Sequence, residues 1–417
     1  MTTSKIAIIG AGPAGCMLAR LLSLSKISVT VYESDESPNY RSQGGTLDLH
    51  PETGLAAIKE AQLWDEYLKE ARFDGQYMLF CDQNLRKFVE VSAGDAKHIG
   101  ERPEIDRFHL RRILTESLPE DTVKWGHRLK RVEEGGRLVF EHTTESGFDL
   151  VVGCEGAWSK VRNFIAPTVE PRYTGIGYHD LSIPDAETMA PAVYKYVNRG
   201  SVFAHSTGRQ VSVQQMGDGS IRVGCSSVRS EDWMRTCGYD PRDLEQTKKA
   251  LLAEMHDYCP QLREAVEKTQ GACEPRTLFQ LPVGWRWEHR RGVTIIGDAA
   301  HLMTPFAGEG VNVALDDARK LAASIARSVR AGDGGDADEL DRQVRAFEDE
   351  MFPRMERYQR QTDEVKQLWL FTEGDVSKVV PKVMVSHMRM VLPAVVIPLV
   401  SVLAHLWWWF VNMRLFG

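Results

Sequence analysis

The chain lacks most of the features that mark secreted, metal-binding or nucleic-acid-binding proteins. Its seven cysteines (Cys16, Cys81, Cys154, Cys225, Cys237, Cys259 and Cys273) are scattered and never form C-x-x-C. That excludes a legible disulfide framework or zinc site and reads as reduced thiols; no metal is expected. There is no excess of positive charge: 51 Lys and Arg stand against 58 Asp and Glu, a net charge of -7. A nucleic-acid partner is therefore not expected. No internal repeat or low-complexity segment occurs, and the apolar run in "KIAIIGAG" is too short for the core of a signal peptide. Long uncharged runs are missing until the far end, where Val391–Met413 carries no formal charge.

What is present is an ordinary globular composition, 43% hydrophobic and 26% charged, in a chain of 417 residues. That length predicts two domains and an appendage. Lys5–Ile9 is a short apolar strand, Ala14–Leu22 has helical spacing, and Ile27–Tyr32 ("ISVTVY") alternates as a second strand. Pro51–Glu70 and Arg107–Leu118 read as helices, and Leu138–Phe140 and Leu150–Val152 as strands. Between about 173 and 281 the texture becomes short strands separated by Gly and Asp turns, followed by a helix. "GVTIIGDAA" (Gly292–Ala300) returns to the parallel type, and Leu340–Phe371 is a long charged helix bent by Pro353.

The chemistry lies in two glycine turns. Gly10, Gly12 and Gly15 form G-x-G-x-x-G between a strand and a helix. The first two glycines admit a tight turn and a pyrophosphate, the third lets helix and strand pack closely, and the helix N-terminus faces the anion. Glu33 ends the next strand, where a carboxylate accepts hydrogen bonds from an adenosine ribose. Near the other end "GDAAHLMTPFAGEGVN" carries Asp298 at a strand end, then Pro305, Gly308 and Gly310 leading into a helix. Its N–H groups and dipole would stabilise the negative charge of a reduced flavin. The two turns are thus expected to hold the two ends of one FAD.

Three segments, "GAGPAG", "DLVVGCEGAWSKVR" and "GDAAHLMTPFAGEGVN", resemble the group A FAD-dependent monooxygenases of the para-hydroxybenzoate hydroxylase type. "RSQGGTLDLH" and "EIDRFHLRRIL" are further similar to the tetracycline-inactivating flavin monooxygenases. The resemblance implies an α/β fold: a Rossmann-type FAD-binding domain, a second, mainly antiparallel-sheet substrate domain and a long C-terminal helix, to which this chain adds an apolar tail after about residue 375. The expected bounds are 1–172 with 282–339, then 173–281, 340–375 and 376–417. It also implies FAD contacts at Asp48 and Arg111 beside Glu33, Asp298, Pro305, Gly308 and Gly310, and a nicotinamide contact at Arg41. Candidate substrate contacts are His205, Gln214 and Phe306. One departure is Glu155-Gly156 where the family carries Asp-Gly. His301 reads as buried structure, and Trp285 and Trp287 as packing between domains.

The function so implied is hydroxylation of an aromatic or enolic, polycyclic secondary metabolite with NAD(P)H, NADPH favoured, and O2. In the family this runs through a flavin C4a-hydroperoxide in a site that excludes water. Baeyer–Villiger insertion, epoxidation and flavin-dependent isoprenoid reduction remain alternatives. So does a non-enzymatic escort, against which the intact phosphate turn speaks. The tail, with Lys378, Lys382 and Arg389 before it and Trp407–Trp409 near its end, suits a membrane anchor kinked by Pro393 and Pro398, with cytoplasmic catalytic domains. A helix packed on the protein's own surface is the other reading. A monomer or weak dimer is expected.

Overall fold

The structure is a computed structural model that describes residues 5–38, 44–92, 94, 101–331 and 337–416, with backbone alone at 330–331 and 412–416. Contacts divide the chain into two units: Met1–Ala71 with Arg102–Arg172 and Phe279–Gln359, and Arg72–Glu101 with Tyr173–Leu278 and Arg360–Gly417.

The first unit is built on a five-stranded parallel sheet. Its order is Val293–Ile295, Leu150–Gly153, Ile6–Ile9, Val29–Tyr32, Val123–Lys124. Ile6–Ile9 and Leu150–Gly153 are buried at every residue, as uninterrupted apolar runs in a parallel sheet must be. Helix Pro13–Leu24 follows the first strand and packs against helix Gly310–Ala331. A hairpin-like pair, Thr46–Asp48 with Glu104–Asp106, stands beside this layer.

The expected helix over Pro51–Glu70 is two helices, Gly54–Glu60 and Trp64–Glu70. Gln62 between them has φ of 57°, a left-handed conformation that ends a helix and that a non-glycine residue adopts at a cost. Asp298 does not close a strand. The strand stops at Ile295, Gly297 turns at φ 61°, and Asp298 opens the short helix Asp298–His301. Trp285 and Trp287 pack inside this unit, where Trp287 meets the edge of Phe352 and donates to Glu348 at 3.2 Å.

The second unit carries a seven-stranded sheet in the order Glu274–Gln280, Arg172–Ile183, Ile221–Val228, Arg209–Gln215, Ser201–Ser206, Met78–Asp82, Lys87–Val91. The last two strands lie within the segment expected to belong to the first domain. They join this sheet because Met78–Asp82 pairs in parallel with Ser201–Ser206. One face, with Val202, Ala204, Val211, Val213 and Val223, forms an apolar core covered by helices such as Pro191–Val197 and Pro260–Glu267. The register puts Tyr178, Asp180, Gln210, Ser212, Gln214, Arg222 and Ser226 on the opposite, polar face.

Helix Ala337–Leu370 runs through Pro353, which removes the bond that the Asp349 carbonyl would accept. Its end sets Trp369 into a row of rings. Trp369 stacks on His205 at 3.9 Å, on Phe80 at 6.2 Å and on Phe88 at 6.3 Å, and Phe88 meets the edge of Trp408 at 5.9 Å. The tail is a helix pair, Val380–Val391 and Ile397–Phe416, rather than one kinked segment. Leu392 is extended because Pro393 follows it. Pro398 sits in the first helical turn, where its missing N–H needs no partner, so neither proline bends the helix.

One packing contact is directly testable. A Cβ on Gly200 would lie 1.9 Å from the Tyr77 carbonyl, beside the parallel strand pair. Gly200→Ala is expected to destabilise by about 1–3 kcal/mol, as overpacking does. The reading is a lower urea midpoint at unchanged slope; an unchanged midpoint would show that the strand pair yields freely.

Candidate functional site

The first unit gathers both glycine turns at the carboxyl edge of its parallel sheet. Gly10 has φ of 102°, and a Cβ there would lie 2.7 Å from the Cys154 carbonyl. At Gly15 a Cβ would meet the Gly10 carbonyl at 2.0 Å. These two glycines are required by packing. Gly12 and Gly310 are different, since a Cβ on either would meet nothing within 4 Å. Their freedom from side chains keeps space clear in front of two helix N-termini. Neither helix, Pro13–Leu24 or Gly310–Ala331, has an acid in its first turn, although Glu309 stands immediately before the second.

Glu33 is buried and close to the first turn, accepting from the Ala11 N–H at 2.6 Å through one oxygen. The other accepts from Ser34 Oγ and Asp35 N, both at 3.0 Å. Arg111 reaches the same place: its Nε donates to the Ala11 carbonyl at 3.3 Å and its Nη2 lies 3.3 Å from Asp35 and 3.9 Å from Glu33. A cation and a carboxylate beside an open helix N-terminus suit the pyrophosphate and ribose of a dinucleotide. The donor set and the cleared space therefore fit the adenosine half of FAD.

At the second turn Gly308 is left-handed at φ 70° and lies against Asp48, whose Oδ1 a Cβ there would approach at 3.5 Å. Asn312, two residues into the following helix, joins the segments. Its Nδ2 donates to the Asp48 carbonyl and its Oδ1 accepts from the His50 N–H, both at 2.8 Å. Asp298 is exposed while Ala299, Ala300 and His301 behind it are buried. The short helix is held from behind: His301 Nε2 meets Asp317 at 2.5 Å, and Asp317 also accepts from Gly297 N and binds Arg354. Burial opposes the Asp317 charge, yet His301, Arg354 and the Gly297 N–H outweigh it and lower its pKa.

Arg162 ties the middle motif to this helix, donating to Ala157 at 2.6 Å and Ala299 at 3.0 Å. Glu155 caps the helix behind it, accepting from the Val161 N–H at 2.8 Å, and burial raises its pKa. The extra methylene relative to Asp is thus used inside the protein.

His50, Glu309 and Asn312 were not singled out from sequence, although all three stand inside motifs that were. His50 lies between two carboxylates, Asp48 at 3.0 Å and Glu309 at 3.4 Å, with Arg102 Nη1 3.4 Å from its Nε2. Burial works against its charged form, but hydrogen bonds and charge from Asp48 and Glu309 prevail and raise it from 6.5 to about 9. Together with Arg102, a cation here offsets the two negative charges of this turn.

The remaining candidates divide. Arg41 lies outside the described residues. Phe306 belongs to the second turn of the first unit. His205 and Gln214 share the polar face of the second unit's sheet, where Gln214 donates to Ser201 Oγ at 3.2 Å. His205 is fully enclosed and burial pushes its imidazole down to about 3, so it forms a neutral wall under Trp369.

A family model described as FAD binding domain matches residues 3–347. Monooxygenase penA of Penicillium thymicola is 30% identical over 411 residues, covering 86% of this chain and 93% of its own. Among solved structures, Klebsiella pneumoniae HpxO complexed with FAD and uric acid has a TM-score of 0.74 over 96% of each chain at 19% identity. Tetracycline destructase Tet(55) has a TM-score of 0.66, covering 88% of this chain and 90% of its own at 20% identity.

Two outcomes follow for the site. Glu33→Ala should weaken FAD retention by about 10–100-fold, the loss of charge-assisted hydrogen bonds, measured by flavin absorbance after gel filtration. Full retention would remove Glu33 from the cofactor site. For His50, whose pKa is raised on folding, the stabilisation is complete below about 6.5 and is lost as pH rises through about 9. Thermal stability of wild type should fall across that window, and His50→Gln should flatten the fall. A cofactor-binding α/β unit with both glycine turns and this family match leaves one assignment: the chain belongs to the family that carries this FAD binding domain and is an FAD-dependent monooxygenase.

Proposed function

We propose that the protein uses NADPH and O2 to hydroxylate an electron-rich aromatic or enolic carbon of an apolar, polycyclic secondary metabolite. The observation that supports this reading most is the pair of cleared helix N-termini, at Gly12 and Gly310, joined to acids and cations suited to FAD. Glu33 and Arg111 would bind the ribose and pyrophosphate. Asp298 would face the ribityl chain, and Pro305, Gly308 and Gly310 would receive the ring system, with His50 balancing Asp48 and Glu309. Bound FAD supplies hydride acceptance from the nicotinamide and electron transfer to oxygen.

The substrate class is read from the polar face of the second unit's sheet. Phe80 and Phe203 stack there at 5.2 Å, beside Gln214, Ser212 and Arg222, with Arg222 held by Asp180 at 2.6 Å. Rings to stack upon and amides to hold ring oxygens suit a fused-ring compound. The catalytic units are read as cytoplasmic and associated with a membrane through the tail.

The experiment is anaerobic reduction with NADPH or NADH, then admission of isotopically labelled oxygen with a panel of fused-ring phenols and enols. The expected outcome is flavin bleaching, faster with NADPH, and a product carrying one labelled oxygen atom. Reduction of a substrate double bond without oxygen would replace the reading with a reductase. Gln214→Ala should raise KM about tenfold, one lost hydrogen bond, while NADPH oxidation without substrate stays unchanged. An unchanged KM would take Gln214 out of substrate recognition.

A further inference from the structure

The outermost helix of the second unit has two unlike sides. One side is a stripe, Ile397, Val400, Ser401, Ala404, Trp408 and Val411, that is buried or half-buried. Spacings of three and four residues make it a single helical face. Trp408 closes it against Phe88, and helix Val380–Val391 packs alongside. The other side, Leu399, Val402, Leu403, Leu406, Trp409 and Phe410, is at least half exposed at every position. Between Ala394 and Val411 there is no Asp, Glu, Lys or Arg, and only 11% of that window is buried. An ordinary surface helix is polar on its outer side, so this one has a partner that is apolar.

The surrounding charge indicates which partner. From Lys378 to Gly417 the chain has four basic residues (Lys378, Lys382, Arg389 and Arg414) and no acid. Lys378 and Lys382 are exposed and one turn apart. A second copy of this chain would bring like charges together, whereas an anionic lipid surface complements them. The exposed Trp407 and Trp409 belong to the residue type that prefers the headgroup level.

We propose that helix Ile397–Phe416 docks this protein in the plane of one leaflet of an anionic bilayer, and does not cross it. This rests on the membrane association read above. The inward stripe fixes the orientation. With one side held on the protein along the helix, lipid can reach only the outward side. Crossing would draw the strand that carries Phe88 toward hydrocarbon, together with Lys87 and Glu90, which pair at 2.7 Å. Burying those charges costs far more than lying flat.

The test uses the full chain, with a protease site and epitope added after Gly417, and flotation with phosphatidylcholine vesicles with or without phosphatidylserine. The protein is expected to float with the anionic vesicles, less at high salt, and protease added outside should remove the epitope. Leu403→Glu with Leu406→Glu alters only exposed positions. It should cut the floated fraction about tenfold or more while leaving FAD absorbance unchanged. Flotation with a protected epitope would overturn the in-plane geometry while keeping membrane association. Absence of flotation on either vesicle would overturn both. A concentration-dependent doubling of mass by light scattering, abolished by the same substitutions, would then give the face to a second copy. Undiminished flotation of the variant would also overturn the assignment of this face.

Discussion

The first unit depends on one close approach, the seating of Gly15 on the carbonyl of Gly10. A methyl group at Gly15 would stand 2.0 Å from that oxygen, so helix Pro13–Leu24 can lie this near the strand only with hydrogen there. From that contact the rest follows. The turn becomes short enough for Gly10 N to donate to the Tyr32 carbonyl at 2.8 Å, which locks it to the neighbouring strand. Glu33, the next residue, is then delivered to the Ala11 N–H, and Arg111 closes over the Ala11 carbonyl from the other side. A single steric fact places Glu33 and Arg111 around one helix end.

The second turn is governed by charge rather than by contact. Asp48 and Glu309 bring two carboxylates to this one turn, both of them largely out of solvent. His50 between them, with Arg102 beside it, counters that charge, and Asn312 fixes the His50 backbone. The local net charge at this turn is thus set by the imidazole together with Arg102 beside it. The electrostatics of the cofactor site and the proton activity of the surroundings are linked through a residue that need not touch substrate.

Much of this was legible in the sequence, and the exceptions have physical causes. Ile6–Ile9 and Leu150–Gly153 declare themselves because a strand buried on both faces must be continuously apolar. Glu33 falls beside the first glycine turn because its distance from the glycines is set by one βαβ unit. Met78–Asp82 was misplaced because a strand's own residues do not name its partner, and here the partner Ser201–Ser206 lies in another region of the chain. Gln62 gave no warning, since a left-handed non-glycine residue looks like any other helix former. His50 carries no signal of its own because its partners Glu309 and Asn312 lie far away in sequence. Pro393 and Pro398 suggested kinks only until the start of the helix was known.

The row of rings from Trp408 through Phe88 and Trp369 to His205 bears on how this protein is handled at the bench. Apolar C-terminal tails are commonly trimmed to obtain a tractable enzyme. Here the cut would remove Trp408 from Phe88 and uncover the end of an aromatic stack that reaches the polar face of the sheet. A shortened chain would exchange one sticky surface for another. Tractability is better sought by repainting the outward side chains of the helix and keeping its inward stripe in place.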